Sequence, residues 1–185
     1  MAPLVGARLD SPLGALLAVV SERGLCGLPF LNPADEWHAL GKFGLRLVKW
    51  FGTSDLVPQP DHPVILSTQR WLDAYFAGDL TGRRLPPLDM RGGEFERTVW
   101  AALLDIPPGT TQSYGALARR LGSPGAARAV GLANGANPVP ILVPCHRVIG
   151  TSGALIGYGG GLPRKSWLLD HEQRYWGIAR PLQFG

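Results

Sequence analysis

A stretch rich in glycine and proline, residues 78–93, divides this 185-residue chain into two halves with different patterns. Glycine and proline favour turns and interrupt helices and strands, so we predict a loop there. A chain of this length has room for one large domain or two small ones. The change of pattern favours two, and we place the boundary near residue 90, which gives domains 1–90 and 91–185.

The first half predicts a small antiparallel sheet with helices. A turn signal, Asp10-Ser11-Pro12, separates the first two β-like runs. Three strands so close in sequence indicate an antiparallel meander. A proline-rich segment, residues 52–63, predicts a loop. The predicted strands are residues 4–9, 13–20 and 25–30, and the predicted helices are residues 33–51 and 64–76.

The second half predicts mostly helices. Two short ones, over 113–121 and 126–134, are joined by Gly122-Ser123-Pro124, in which Ser123 suits an N-cap and Pro124 the first helical position. Such a pair is typical of a helix-turn-helix unit, which either binds DNA or serves only as a packing unit. The remaining predicted helices are residues 95–104 and a final helix that begins after Pro163.

Charge is distributed unevenly between the halves. Residues 1–90 hold 8 Lys and Arg against 9 Asp and Glu, whereas residues 91–185 hold 10 against 5. No acidic residue occurs between Asp105 and Asp170. This basic stretch predicts a polyanionic partner such as nucleic acid, although a solvated basic face is the alternative. Its cations are Arg119, Arg120, Arg128, Arg147, Arg164 and Lys165.

Three chemically active side chains are adjacent in the apolar segment 143–150. Cys145, His146 and Arg147 follow one another there. A thiol becomes a strong nucleophile only as a thiolate. A neighbouring imidazole that accepts its proton and an arginine that favours negative charge would activate it. The alternative is that Cys145 is a buried core thiol.

The other cysteine, Cys26, is the only one in the first half. Two cysteines are too few for a disulfide scaffold, and no Cys and His cluster has metal-ligand spacing, so we expect no bound zinc. We find no secretory signal and no apolar run long enough to span a bilayer. We therefore expect a protein of the reducing cytoplasm.

The final helix places a carboxylate among apolar residues. Leu168, Glu172 and Tyr175 share one face at positions i, i+4 and i+7. Such a carboxylate is either solvated at the rim of the face or buried with a partner, for which a histidine is suitable.

Several motifs, in order, resemble one protein family, the O6-alkylguanine-DNA alkyltransferases, also called methylated-DNA–protein-cysteine methyltransferases. The resemblance is strong from about residue 95 to residue 172 and weaker over residues 1–90. The motifs that carry it are Pro144-Cys145-His146-Arg147-Val148, Arg128-Ala129-Val130-Gly131, Asn137-Pro138 and Gly157-Tyr158-Gly159-Gly160-Gly161.

The resemblance implies an α+β fold. The N-terminal domain would be a ribonuclease-H-like antiparallel sheet with helices, and the helical C-terminal domain would carry a winged-helix-like helix-turn-helix. Some family members bind zinc in the N-terminal domain. Because Cys26 is the only cysteine there, we do not expect that zinc, and we predict that Cys26 is a core residue and that His38 and His62 lie at the surface or in loops. The resemblance implies a monomer that needs no cofactor.

The reaction that the resemblance implies is transfer of an alkyl group from guanine O6 to Cys145, once per molecule. His146 would take the thiol proton through a water molecule, and Glu172 would orient the imidazole. Asn137 would brace the turn that carries the cysteine. Tyr114 would donate a hydrogen bond or a proton to the departing guanine. The alternative is that Tyr114 is an aromatic residue on the helix surface without such a role.

The resemblance also implies binding in the minor groove of double-stranded DNA, independent of sequence and sensitive to salt. The target nucleotide would be flipped out of the stack, and Arg128 would fill the space it leaves. Small residues would allow close approach of the helix to the groove. The other expected DNA contacts are Ala126, Ala127, Gly131 and Thr151, beside Ala129.

The flipped base would lie among Pro140, Val148, Tyr158 and the backbone near Gly150. Position 159 is a glycine where some relatives carry a hydroxyl side chain, so we expect a pocket that accepts groups larger than methyl. Three other functions are alternatives for this sequence: DNA binding without transfer, sequence-specific transcriptional regulation, and cysteine-dependent hydrolysis. The presence of Cys145 weighs against the first, and the adjacency of cysteine and histidine weighs against the last.

Overall fold

The computed structural model describes residues 3–31 and 41–177. The chain forms two compact units. The first comprises Met1–Arg97 with Pro138–Leu142, and the second comprises Thr98–Asn137 with Val143–Gly185. His38, expected at the surface or in a loop, lies outside the described residues.

The first unit contains a four-stranded sheet of order β3-β2-β1-β4. The first three strands form the predicted antiparallel meander, in which Leu9 of β1 lies opposite Leu16 of β2. Residues 16–20 are all buried, which indicates that β2 is covered on both faces. The strands are β1 (Leu4–Leu9), β2 (Leu16–Ser21), β3 (Gly24–Gly27) and β4 (Leu56–Pro58).

Strand β4 was not predicted, because it lies in the proline-rich segment that we assigned to a loop. It pairs parallel to β1 through only three residues. The third predicted strand is also shorter than expected: it ends at Gly27, and Phe30 forms only an isolated bridge to Leu16. Cys26 is buried in β3, as predicted, and burial raises the pKa of its thiol to about 12.

Two helices complete the described part of the first unit, α1 (Gly41–Phe51) and α2 (Pro63–Phe76). The beginning of the predicted helix 33–51 lies outside the described residues. The ring of His62 accepts a hydrogen bond from the backbone N–H of Val64 at the start of α2. This contact satisfies one of the N–H groups that a helix leaves unpaired at its N-terminus.

The second unit contains the predicted helices, a short 3₁₀ turn at Cys145–Arg147 and two short parallel strands. The strands are β5 (Gln112–Ser113) and β6 (Val148–Ile149). The helices are α3 (Glu94–Leu103), whose residues up to Arg97 belong to the first unit, α4 (Tyr114–Arg120), α5 (Ala127–Gly135) and α6 (Leu162–Trp176). The mixed α+β class that the sequence predicts is therefore confirmed.

The start of α5 differs from the prediction. Ser123 does not cap this helix, because the helix begins at Ala127 and its N-cap residue is Ala126. The backbone N–H of Ala126 bonds to the carbonyl of Ser123, which closes a four-residue turn before the helix. Gly125, a poor helix former, lies inside that turn.

Among residues 3–31 and 41–177, no helix is both long and apolar enough to cross a membrane. Within the same ranges, no three His, Cys, Asp or Glu side chains are grouped so that they could hold a metal ion.

Candidate active site

The 3₁₀ turn that carries Cys145 is fixed by hydrogen bonds. The backbone N–H of Cys145 donates to the carbonyl of Val143 at 2.8 Å. The Nδ2 atom of Asn137 donates to the same carbonyl at 2.8 Å. Because Asn137 lies two residues after the end of α5, this bond ties the turn to the end of that helix.

The thiol of Cys145 is buried, with 4% of the residue exposed. Burial raises its pKa to about 11, although a hydrogen bond from Asn137 and the positive charge of Lys165 act in the opposite direction. The resting group is therefore a thiol, and a base must accept its proton before it can act as a nucleophile.

His146 and Glu172 form a buried pair beside this cysteine. The Nε2 atom of His146 lies 2.7 Å from Oε1 of Glu172, and 0% and 1% of the two side chains are exposed. Of the two possibilities for Glu172, the buried carboxylate with a histidine partner is the one observed. Burial opposes its ionisation, but the charges and hydrogen bonds of His146 and Arg147 outweigh burial and hold the pKa of Glu172 well below its usual range.

The protonation of His146 follows from this pairing. An ionised carboxylate only accepts hydrogen bonds, so Nε2 carries the proton and Nδ1 keeps its lone pair. The Nδ1 atom is buried and has no hydrogen-bond partner among the described residues. Burial lowers the pKa of His146, and Glu172 partly offsets that effect. Nδ1 is thus the atom of this pair that can accept a proton.

Arg147 does not act on the thiol as the sequence had suggested. Its Nε and Nη2 atoms lie 2.9 and 2.8 Å from the two carboxylate oxygens of Glu172, and Nη1 donates to the carbonyl of Ile106. Successive side chains of a 3₁₀ turn point about 120° apart, so adjacency in sequence does not place Arg147 beside Cys145. Its role is to neutralise and hold the carboxylate.

The cation that acts on the thiol is Lys165, which the sequence analysis missed. Lys165 is fully buried, and its Nζ atom donates to the carbonyls of Val148 at 2.7 Å and Ile156 at 2.9 Å. Burial lowers its pKa, opposed by Cys145. The available signal was its position, because Lys165, Leu168 and Glu172 lie at i, i+3 and i+7 on the buried face of α6.

A second missed residue is Asn134 in α5, which is 1% exposed. Its Nδ2 atom donates to the carbonyl of Cys145 at 3.1 Å and lies 3.5 Å from the hydroxyl of Tyr114. Tyr114 donates to the carbonyl of Ile156 at 3.0 Å. Burial and the neighbouring Cys145 raise the pKa of Tyr114, whereas Asn134 lowers it.

The residues expected at DNA include Arg128, which is exposed in the first turn of α5, and Thr151, which is exposed after β6. Three more, Ala126, Ala127 and Gly131, are partly exposed. Arg119 and Arg120 are exposed, but Arg147 and Lys165 are buried. The basic stretch therefore offers fewer cations to a polyanion than its sequence suggested.

The residues expected around a flipped base are not alike in burial. Val148 is buried, Tyr158 is partly buried and Gly159 is exposed. The hydroxyl of Tyr158 is buried and has no hydrogen-bond partner within the described part of the chain. A Cβ atom at Gly159 would lie 3.5 Å from the carbonyl of Gly135, an ordinary contact. Pro140 is buried in the segment Pro138–Leu142 that belongs to the first unit.

Comparisons with known families match both halves of the chain. The family model described as "6-O-methylguanine DNA methyltransferase, ribonuclease-like domain" matches residues 4–90. The one described as "6-O-methylguanine DNA methyltransferase, DNA binding domain" matches residues 94–174. These matches confirm the resemblance that the sequence motifs indicated.

Individual relatives agree with the family models. The methylated-DNA–protein-cysteine methyltransferase of Mycobacterium leprae is 46% identical over 165 residues, which cover 89% of this chain and 90% of the relative. A crystal structure of Mycobacterium tuberculosis O6-methylguanine methyltransferase has a TM-score of 0.76 at 43% identity and covers 96% of each chain. A crystal structure of Mycobacterium tuberculosis OGT in complex with DNA has a TM-score of 0.74 at 44% identity, covering 92% of this chain and 93% of that one.

Proposed function

Because the chain belongs to the 6-O-methylguanine DNA methyltransferase family, we propose specific roles for its residues in direct reversal of DNA damage. The activity of the chain is DNA repair by transfer of an alkyl group to a protein cysteine. Cys145 is the acceptor in this proposal. The observation that carries it is the buried His146–Glu172 pair beside the cysteine, with Nδ1 of His146 left to accept a proton.

Activation of Cys145 begins with proton transfer. The thiol proton passes through a water molecule to Nδ1 of His146, while the proton on Nε2 stays in the bond to Glu172. The resulting imidazolium is stabilised by the carboxylate, and the thiolate by Lys165 and by the hydrogen bond from Asn137. The proton transfer separates charge between Cys145 and His146, but the net charge of the buried group that they form with Glu172 does not change.

Transfer then makes one bond and breaks one. The sulfur attacks the saturated carbon attached to guanine O6, a carbon–sulfur bond forms, and the carbon–oxygen bond breaks with its electron pair on the purine. Tyr114 gives its hydroxyl proton to the departing purine, which would otherwise leave as an anion. Solvent carries a proton from the imidazolium to the tyrosinate and restores both. The thioether is a poor leaving group, so each molecule reacts once and needs no cofactor.

The substrate is double-stranded DNA that carries O6-alkylguanine, approached through its minor groove by a monomer. The target nucleotide rotates out of the stack, and Arg128 occupies the space that it leaves. The exposure of Arg128 and the small side chains of Ala126, Ala127 and Gly131 support this arrangement. Thr151 adds a further contact to the DNA.

The extruded base occupies a pocket to which Val148, Tyr158 and Gly159 of the second unit contribute. The hydroxyl of Tyr158, which has no hydrogen-bond partner among the described residues, is available to a ligand. The absence of a side chain at Gly159 supports acceptance of groups larger than methyl. We retain 1–90 and 91–185 as the two domains and the reducing cytoplasm as the compartment, with both cysteines present as free thiols.

Intact-mass spectrometry tests the proposal. The full chain is incubated with a duplex that contains one O6-methylguanine, and the modified peptide is mapped. We expect one added methyl group on Cys145, unmodified guanine in the DNA and no second turnover. Cys26→Ser, which alters a thiol in the core of the first unit, should still react, whereas Cys145→Ser should not. Tight binding without methylation, or methylation elsewhere, would show that Cys145 is not the acceptor.

A further inference from the structure

One buried amide lies between the backbone of the reactive cysteine and the hydroxyl of Tyr114. The Nδ2 atom of Asn134 is 3.1 Å from the carbonyl oxygen of Cys145 and 3.5 Å from the Tyr114 hydroxyl. An amide nitrogen carries two hydrogens, so it can serve both acceptors at once. Neither the sequence motifs nor the roles assigned above use this residue.

The orientation of the amide is determined by its neighbours. The carbonyl of Cys145 can only accept a hydrogen bond, so the amide must present its nitrogen to that oxygen. The opposite orientation would place the Oδ1 atom of Asn134 against a second carbonyl oxygen. In the observed orientation Oδ1 is buried and has no partner among the described residues, and the bond to Cys145 compensates part of that cost.

The direction of the Tyr114 hydroxyl follows. Its single hydrogen is donated to the carbonyl of Ile156 at 3.0 Å. Its oxygen must therefore accept from Asn134 rather than donate to it. At 3.5 Å this second bond is long, as hydrogen bonds in a site without substrate often are.

Asn134 is held where it is by the helix that carries it. The Nε1 atom of Trp100, a side chain 1% exposed, donates to the carbonyl of Ala133 at 2.8 Å. This bond anchors α5 one residue before Asn134. The amide therefore moves with the backbone of α5 and is not a mobile surface side chain.

We propose that Asn134 is a positioning residue for the transfer step, which holds the Tyr114 oxygen in place and supports it as the proton leaves. The inference rests on the proposed role of Tyr114. As Tyr114 releases its proton to the purine, the negative charge that develops on its oxygen strengthens the N–H bond from Asn134. The same amide holds the Cys145 carbonyl, so the nucleophile and the proton donor keep a fixed separation.

Leaving-group chemistry tests the proposal with two free-base substrates. O6-benzylguanine needs a proton on its purine as the bond breaks, whereas a counterpart with an electron-withdrawing substituent on the purine needs it less. For Asn134→Leu we expect the alkylation rate with O6-benzylguanine to fall about tenfold, which is the effect of losing a hydrogen bond to a charged group. The rate with the activated substrate should fall clearly less. Tyr114→Phe should show the same selectivity, and the double variant should be no slower than the slower single variant.

Val130→Ala is the matched control, because Val130 is buried on α5 and makes no polar side-chain contact. A general loosening of the helix would slow both substrates by the same factor. Equal slowing of both substrates by Asn134→Leu, or no slowing, would overturn the inference. If the wild-type chain itself fails to alkylate Cys145, the proposed function fails instead, and the two failures are distinguishable.

The hydrogen-bond arrangement is also tested without any reaction. In protein with ¹⁵N-labelled asparagine, the two side-chain amide protons of Asn134 are compared between the wild-type chain and Tyr114→Phe. We expect one proton, the one directed at the hydroxyl, to shift upfield and the one bonded to the Cys145 carbonyl to stay. If both protons stay, Asn134 does not bond to Tyr114, and the proposal is wrong even where Asn134→Leu is too unstable to assay.

Discussion

The Nε2 atom of His146 lies 2.7 Å from Oε1 of Glu172, with both side chains withdrawn from solvent. This arrangement leaves Nδ1 of the imidazole without a hydrogen-bond partner among the described residues, so that it can accept a proton. At pH values between the lowered pKa of His146 and the pKa of Cys145, which is about 11, the thiol and the imidazole are both neutral. Internal proton transfer within that pair neither takes up nor releases a proton.

The rate of alkylation of Cys145 should therefore be nearly independent of pH from about 6.5, the ordinary pKa of histidine, to about 9. In His146→Ala the thiol must lose its proton to solvent, so the rate should rise about tenfold per pH unit and be roughly 10²–10⁴-fold lower at neutral pH. Second-order rates with O6-benzylguanine across this range check both slopes. His62→Ala, in the first unit, should keep the flat profile. A slope of one in the wild-type chain would exclude internal proton transfer.

Glu172 should contribute stability that acid removes. Its folded pKa is held below the ordinary value of 4.5, so the contribution is complete above that pH and is lost as the pH falls below it. At pH 7, Glu172→Gln leaves Arg147 buried without its counter-ion, which should lower the free energy of unfolding by about 3–5 kcal/mol. The difference from wild type should shrink towards pH 3, as urea denaturation at several pH values would show.

Asp170→Asn is the control for that comparison, because Asp170 is exposed on the same helix. It removes a carboxylate without opening the buried site, and its stability should follow that of the wild-type chain at each pH. A difference between Glu172→Gln and wild type that is constant with pH would mean that folding does not lower the pKa of the Glu172 carboxyl.

The sequence predicted the composition of this site better than its geometry. The position of Glu172 on an apolar face left open whether its carboxylate is solvated or buried with a histidine, and the family resemblance implied that His146 is that histidine. The partner of Glu172 was only partly foreseen, because the contact with Arg147 depends on how a 3₁₀ turn directs its side chains. Lys165 was counted as a surface charge, since burial of a lysine is rare and depends on two carbonyl groups distant in sequence.

For the fold, periodic segments were predictable and short or irregular ones were not. Strand β1 and helix α2 follow strong local patterns and have nearly the expected bounds. Strand β4 has three residues and depends on a parallel partner about fifty residues earlier in the chain, for which no local pattern exists. The start of α5 was misplaced because Ser-Pro is compatible both with a helix start and with a turn, and Gly125 favours the turn.

Lys165→Met should slow alkylation and also weaken the fold. The variant removes the positive charge that acts on Cys145, and we expect a rate about tenfold lower, the effect of roughly 1.4 kcal/mol on the transition state. It also leaves the carbonyl of Val148 without this donor, at a cost of about 1–3 kcal/mol, whereas the carbonyl of Ile156 still accepts from Tyr114. Alkylation rates and urea denaturation measure the two effects separately.

Arg174→Met provides the comparison for Lys165→Met, since it removes the same charge from an exposed position on α6. If both variants slow the reaction equally, the effect would come from the overall charge of the helix and not from the buried ammonium group.

Arg128→Ala should distinguish a role of Arg128 in base extrusion from a role in the chemical step. If Arg128 fills the space of the flipped nucleotide, its loss should slow repair of a duplex about 10–100-fold, in line with an unstacking cost of a few kcal/mol. The reaction with free O6-benzylguanine, which needs no extrusion, should keep its rate. Arg23→Ala removes an exposed arginine from the first unit and should change neither rate. Equal slowing with both substrates would place Arg128 in the chemical step instead.

Helix α6 carries both Lys165 and Glu172, seven residues apart on one buried face. Each residue inserted between them would rotate Glu172 by about 100° around the helix axis and shift it by about 1.5 Å. The spacing should therefore be invariant in length among working homologues, even where individual side chains differ.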